Sequence, residues 1–241
     1  FSVVPIKRLS DKKADRKYRL SVNAISGVSG SVEGLEVGGV KNKVKKNVDG
    51  VQISGLFNKV EGNVTGGQFG GWSNRTKGTM RGLQMAGFSN RNQQADAVQF
   101  AGIFNYNRDV RRGFQWAGLF NISKNIAGGQ MAGLVNYSTG NNDAQVAGLL
   151  NIADQVRAQI GGFVNVAREV GWFQVGLINV ADTVGGASIG LLNIIRRGYN
   201  KFEFSFNESM YGNLAVKLGT KRFYNIFDTI WYFTRLFNSS F

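Results

Sequence analysis

The 241-residue chain contains no cysteine and no histidine. Without cysteine there is no disulfide staple, no thiolate metal site and no cysteine nucleophile. Without histidine, the commonest general base and the commonest transition-metal ligand are missing too. Proline occurs once, which suits a continuous strand ladder that proline would break. No apolar run reaches the ~18 residues that a membrane-spanning helix needs. Acidic residues are scarce, 15 against 29 basic, for a net charge of +14. Such a balance favours an anionic partner such as lipid headgroups, lipopolysaccharide, nucleic acid or an acidic protein. The motifs of specific nucleic-acid readers are missing, so no specific nucleic acid is expected. A nucleophile elbow, P-loop, dinucleotide fingerprint and calcium loop are also missing. The expectation is therefore a non-enzymatic protein with no cofactor and no metal site.

What the chain does have is repetition. Gln115-Trp116-Ala117-Gly118-Leu119-Phe120-Asn121 is preceded by Gln99-Phe100-Ala101-Gly102-Ile103-Phe104-Asn105 and followed by Gln130-Met131-Ala132-Gly133-Leu134-Val135-Asn136. Aligned on the last residue, the phrase gives Asn42, Asn58, Asn74, Asn90, Asn105, Asn121, Asn136, Asn151, Asn165, Asn179 and Asn193, in steps that shorten from 16 to 14 residues. A glycine stands three residues before each of these asparagines. A fixed short period is the mark of a solenoid.

Within a unit the residues alternate as in a strand. Val51, Ile53, Gly55 and Phe57 fall on one side, and Gln52, Ser54, Leu56 and Asn58 on the other. The glycine content and the period near two argue against helix. A unit fits about two short strands and two tight turns. Eleven rungs at roughly 4.8 Å each make a rod about 50 Å tall. The glycine column serves a turn where a side chain would collide. The asparagines from Asn58 to Asn193 are expected to stack as a structural ladder, and the glutamines Gln52 to Gln174 as a second one. The fold class expected is all-β: a β-solenoid of about eleven rungs with a short C-terminal antiparallel module.

In chain order, residues 1–33 read as a basic N-terminal arm and cap: residues 1–20, with Lys7, Arg8, Lys12, Lys13, Arg16, Lys17 and Arg19, form an irregular basic arm, or the chain already enters a first edge strand at residues 18–25. Residues 34–198 are the repeat domain. The position after each ladder asparagine drifts from Lys59, Arg75 and Arg91 to Tyr106, Ile122, Tyr137, Ile152, Val166, Val180 and Ile194. One face thus turns from charged to apolar, and the late rungs are expected to be covered by chain or partner. Residues 199–241 form the last module. Lys201–Asn207 alternates with Phe202, Phe204 and Phe206 on one side, residues 213–219 and 222–227 are further strands, and an aromatic end follows. The number of strands falls short of a lipid-facing barrel, so they are expected to cap the solenoid or extend a neighbour's sheet. The candidate partner interface is Ile152, Val166, Val180 and Ile194 with Phe202, Phe204 and Phe206. Candidate polyanion contacts are Arg75, Lys77 and Arg81, and Arg108, Arg111 and Arg112. Asp143, Asp154, Glu169 and Asp182 lie in successive late turns among Arg157 and Arg168. They read as a surface charge network, with a glycosidase-like pair among Asp154, Glu169 and Asp182 left open.

The repeated phrase, over about residues 34–199, resembles a family of bacterial surface-repeat proteins of Bacteroidetes and leptospires. The stretches Ser188–Tyr199 and Gly219–Asn225 are similar to its Bacteroidetes members. The resemblance implies a Gram-negative cell-envelope location. One member type is a plug subunit that closes the outer-membrane channel of the type 9 secretion translocon from the periplasm. The expectation is docking onto an envelope protein such as an outer-membrane channel or translocon subunit, with an anionic lipid or lipopolysaccharide contact. A surface adhesin or polyanion-binding protein, and a carbohydrate-active β-helix enzyme, remain open as alternatives.

Overall fold

The computed structural model describes residues 3–4, 17–207 and 211–232. The basic arm around Lys7 to Arg16 and the aromatic end at 233–241 lie outside the described residues. The remainder is all-β: 20 strands in one parallel coil of about 12 turns, followed by three antiparallel strands.

A typical turn has a longer strand, such as Val48–Ser54, a glycine corner, and a shorter strand, such as Phe57–Val60. Each strand pairs in register with its counterpart one repeat later, so Gln52 meets Gln68 and Asn58 meets Asn74. The coil begins earlier than the asparagine phrase suggests. Lys17–Asn23 and Ser26–Ser29 already form a full turn, paired to Ser31–Gly38 and Lys41–Val44. Residues 17–33 therefore belong to the solenoid and not to an arm. They escape the motif because Gly27 occupies the asparagine register. A Cβ at Gly27 would overlap the amide of Asn23, which reaches across and donates to Asn42 Oδ1 at 3.4 Å.

Two glycine columns shape the turn. At the corner, an added Cβ on Gly118 would stand 2.0 Å from the carbonyl oxygen of Gly102, and its neighbours up and down the column are as crowded. Stacked backbones leave no room for a side chain there. A second column, with Gly50, Gly66, Gly82 and Gly113 among its members, has φ between +115° and +144°, a region that favours glycine.

The interior is divided. On the side away from the glycine corner it is apolar, with Val32, Val44, Val48, Val60, Val64 and Met80 fully or almost fully buried, and Ala153, Val156, Ala167, Val170 and Ile195 in the later turns. On the corner side it is carboxamide. Each ladder asparagine donates one amide proton to the next asparagine, as Asn105 to Asn121 Oδ1 at 3.0 Å. It donates the other to a strand carbonyl, as Asn105 to Trp116 O at 2.8 Å. The glutamines donate the opposite way, Gln68 to Gln52 and Gln84 to Gln68, both at 2.8 Å. The two hydrogen-bond chains are antiparallel.

Both chains have a terminator at the donating end. The glutamine chain ends on Glu36, which accepts from Gln52 at 2.6 Å and from Ser29 at 2.8 Å. The asparagine chain ends on Asn225 of the C-terminal sheet, whose own amide donates to Gly190 O at 3.0 Å. That sheet comprises Lys201–Asn207, Tyr211–Gly219 and Tyr224–Tyr232. It caps the last turn, as expected, although its third strand starts two residues later than the sequence pattern places it.

Replacing Asn121 with leucine, of similar volume, would orphan the Asn105 amide, Asn136 Oδ1 and Met131 O. At ~1–3 kcal/mol for each of these three buried unpaired groups, the loss should be roughly 3–9 kcal/mol in urea unfolding. A loss under ~1 kcal/mol would remove the ladder from any central role in stability.

Burial raises the Glu36 carboxyl above the ordinary carboxylate value, against the opposing hydrogen bonds from Gln52, Ser29, Ser21 and Asn23. A carboxyl raised on folding stabilises at low pH, and that contribution is lost as pH rises through the folded value. Glu36→Gln should therefore abolish this part of the pH dependence and gain on the order of 1 kcal/mol at neutral pH. Denaturation of both proteins in acidic and neutral buffer checks this. An equal gain in the two buffers would exclude the titration as its cause.

Candidate functional site

Because glutamine and asparagine occupy the inside of the corner, the alternating apolar residues point out. Starting at Val22, Val37 and Ile53 and continuing through Phe100, Trp116 and Ile160 to Ile189, every in-register position of one outward column is apolar. Trp116 and Ile189 are each 50% exposed. A second column passes from Ile25 and Val40 through Leu56, Trp72 and Phe88 to Leu177 and Leu191, linked by backbone hydrogen bonds from turn to turn. Leu191 is 70% exposed. Leu56, expected beside Gln52 and Asn58, belongs to this outer column, because Gly55 turns the chain one residue before it.

Between these ridges the glycine corner is a trough. One part of it, about 590 Å³, is bounded by Ile53, Phe69, Met85, Phe100 and Trp116 and floored by Gly71, Gly87 and Gly102. The trough follows from the crowding that makes the corner glycine: a side chain that cannot exist leaves a channel. Trp72 and Phe88 stack along the second ridge with centroids 4.7 Å apart.

The drifting column also faces out. Ile152, Val166 and Val180 are half-buried among their neighbours and Ile194 is exposed, as are Ile122 and Tyr137. Among the described residues the C-terminal sheet packs on the last turn, so this face stays open instead of being covered by chain. Phe202, Phe204 and Phe206 are 61–80% exposed. All three lie on an edge strand whose only partner among the described residues is Tyr211–Gly219.

The basic residues are distributed differently from their sequence clusters. Arg75 and Lys77 line one groove together with Arg91, which sequence proximity did not reveal. Arg81 lies past the bend, in a column with Asp96 and Arg112. Arg108 and Arg111 fall around the same bend as Asp109, in the strand Phe104–Ala117. The late carboxylates pair as a charge network. Asp154, Arg168, Asp182 and Arg196 alternate turn by turn, with Arg168 Nε donating to Asp154 at 2.6 Å and Arg157 3.4 Å from Asp143. Arg168 is held above its ordinary value by its hydrogen bond to Asp154. No cluster of metal-ligating side chains is present among the described residues.

Comparison with protein-family models, curated proteins and solved structures finds no match. The class defined by the geometry is a parallel β-solenoid with a carboxamide interior and an apolar outer corner.

Proposed function

We propose that this chain is a non-enzymatic docking rod of a Gram-negative cell envelope, which seats its apolar corner on another envelope protein. The observation that carries the reading is the pair of apolar ridges, unbroken over the length of the coil, above a corner whose inner side is already filled by hydrogen-bonded amides. Apolar residues that a fold does not use for its own core, in patches beyond several hundred Å², mark interaction surfaces. A rod held rigid by two ladders presents them without the ordering cost of a flexible segment. The exposed edge strand with Phe202, Phe204 and Phe206 adds a place for strand addition.

The resemblance to envelope surface-repeat proteins supplies the location. Within it, the plug-type member favours an outer-membrane channel, such as that of the type 9 translocon, approached from the periplasm. The pairing of Asp154 and Asp182 with arginines weighs against a free carboxylate couple for hydrolysis.

The test is capture of the tagged chain from envelope membranes in mild detergent with a high-salt wash, and mass spectrometry of what remains. A stoichiometric outer-membrane channel is expected, retained by the parent and lost from Trp116→Lys and Leu149→Lys variants whose circular dichroism is unchanged. Recovery of the chain alone, or retention of the channel by both variants, would overturn the reading.

A further inference from the structure

The short-strand face carries an arrangement that the ladder imposes and the fold does not need. Lys43, Lys59, Arg75 and Arg91 occupy one outward column on four consecutive turns, paired in register. Turns are ~4.8 Å apart, and like charges directly opposite one another destabilise a sheet. The asparagines one residue earlier fix the register, so the cations cannot slip apart. Glu61 is the carboxylate placed against this column, and it is already shared between Lys59, at 3.2 Å, and Lys77. Arg91 lies 5.0 Å over the ring of Phe104. Arg75 has no carboxylate partner among the described residues.

Here the column opens into a groove of about 580 Å³. Its outward side chains are Arg75, Lys77, Arg91, Gln93 and Tyr106, while Thr76 and Asn92 turn inward and contribute backbone. The hollow has a local cause. Asn92 pairs with Thr76 but Gln94 pairs with Thr79, so Lys77 and Gly78 face a single residue, Gln93. A bulge of this kind bends the strand and re-aims its side chains. On the next turn the column changes from Arg91 to Tyr106, which closes the groove.

We propose that this groove binds a phosphate monoester. Arg75 and Arg91 converge here with no carboxylate partner among the described residues, and Lys77, which already contacts Glu61, stands beside them, so a singly charged carboxylate ligand would offset only one of the two arginines. A phosphate monoester brings close to two negative charges and three acceptor oxygens in one compact group. Arginines on adjacent turns present two planar donor forks to such a group, and Lys77 adds a point charge. The groove exceeds the size of phosphate itself and falls in the range of small-molecule sites. The phosphate therefore carries a polar substituent of sugar or glycerol size, which rests against Tyr106 and Gln93. This site is separate from the apolar corner, and it stands whether or not that corner docks on a protein.

The experiment uses two probes on the full chain: glycerol 3-phosphate followed by calorimetry, and phosphatidylcholine vesicles with or without phosphatidic acid followed by co-sedimentation. An Arg75→Gln/Arg91→Gln variant is compared with Lys124→Gln/Arg197→Gln, which removes the same charge elsewhere. Saturable binding should fall at least tenfold in the first variant and stay within twofold of the parent in the second. The melting temperature of the first should be unchanged or higher, because a repulsive pair is gone. Binding of both probes identifies a phosphate monoester free or lipid-borne, and binding of the acidic vesicles alone identifies a headgroup. Equal weakening in the two variants, or no binding of either probe, would overturn the site.

Discussion

A buried carboxamide needs two acceptors and at least one donor, and in this rod the ladder asparagines find them along the axis, while the glutamine chain leaves Gln174 Oε1 without a donor among the described residues at its far end. That constraint sets the rest of the structure. Each amide joins the turn below to the turn above, so a strand that slipped by one residue would break the chain of bonds and turn its side chains inside out. Register is therefore specified by polar groups, which require direction as well as proximity. The apolar residues are released from that task and are left on the surface. The division of the interior follows as well: valine and alanine fill the side where no ladder runs, and the middle turns substitute Thr76, Asn92, Asn107 and Ser123, which bond sideways to the glutamines.

The opposed directions of the two ladders have an electrostatic consequence. A chain of aligned amides accumulates a dipole and polarises its members in turn. Side by side and reversed, the two chains oppose one another's field along the axis. Each needs a different end piece. The glutamine chain, whose protons point toward the N-terminus, meets an acceptor-only carboxylate at Glu36. The asparagine chain, whose protons point the other way, is received by Asn225. The C-terminal sheet is in this sense part of the ladder and not an appendage.

Much of the architecture was legible because the repeat writes it eleven times over. The asparagine and glutamine columns, the corner glycines and the capping strands could be placed from spacing alone. The missing parts have specific causes. The first turn replaces asparagine by Gly27 and borrows an amide from Asn23, so the repeated phrase begins a turn later than the coil does. Glu36 stands sixteen residues before Gln52, in the glutamine register, and that spacing was the available signal for its role. Arg75, Lys77 and Arg81 are close in sequence, yet a bend sends Arg81 to another face, while Arg91 comes beside Arg75 by stacking. Alternation also establishes two faces without saying which is inside. That is decided by the ability of amides, and not of isoleucine, to bond from turn to turn.

The repeat shortens from sixteen residues to fourteen between the first turns and the last. At ~3.3 Å per residue, the girth of the coil falls by roughly 7 Å along its length. The molecule is thus tapered, with its wider turns carrying the cations and its narrower turns carrying apolar residues on both strand faces. Shape and chemistry change in the same direction, so any cavity that receives this body distinguishes its two ends before a single specific contact is made.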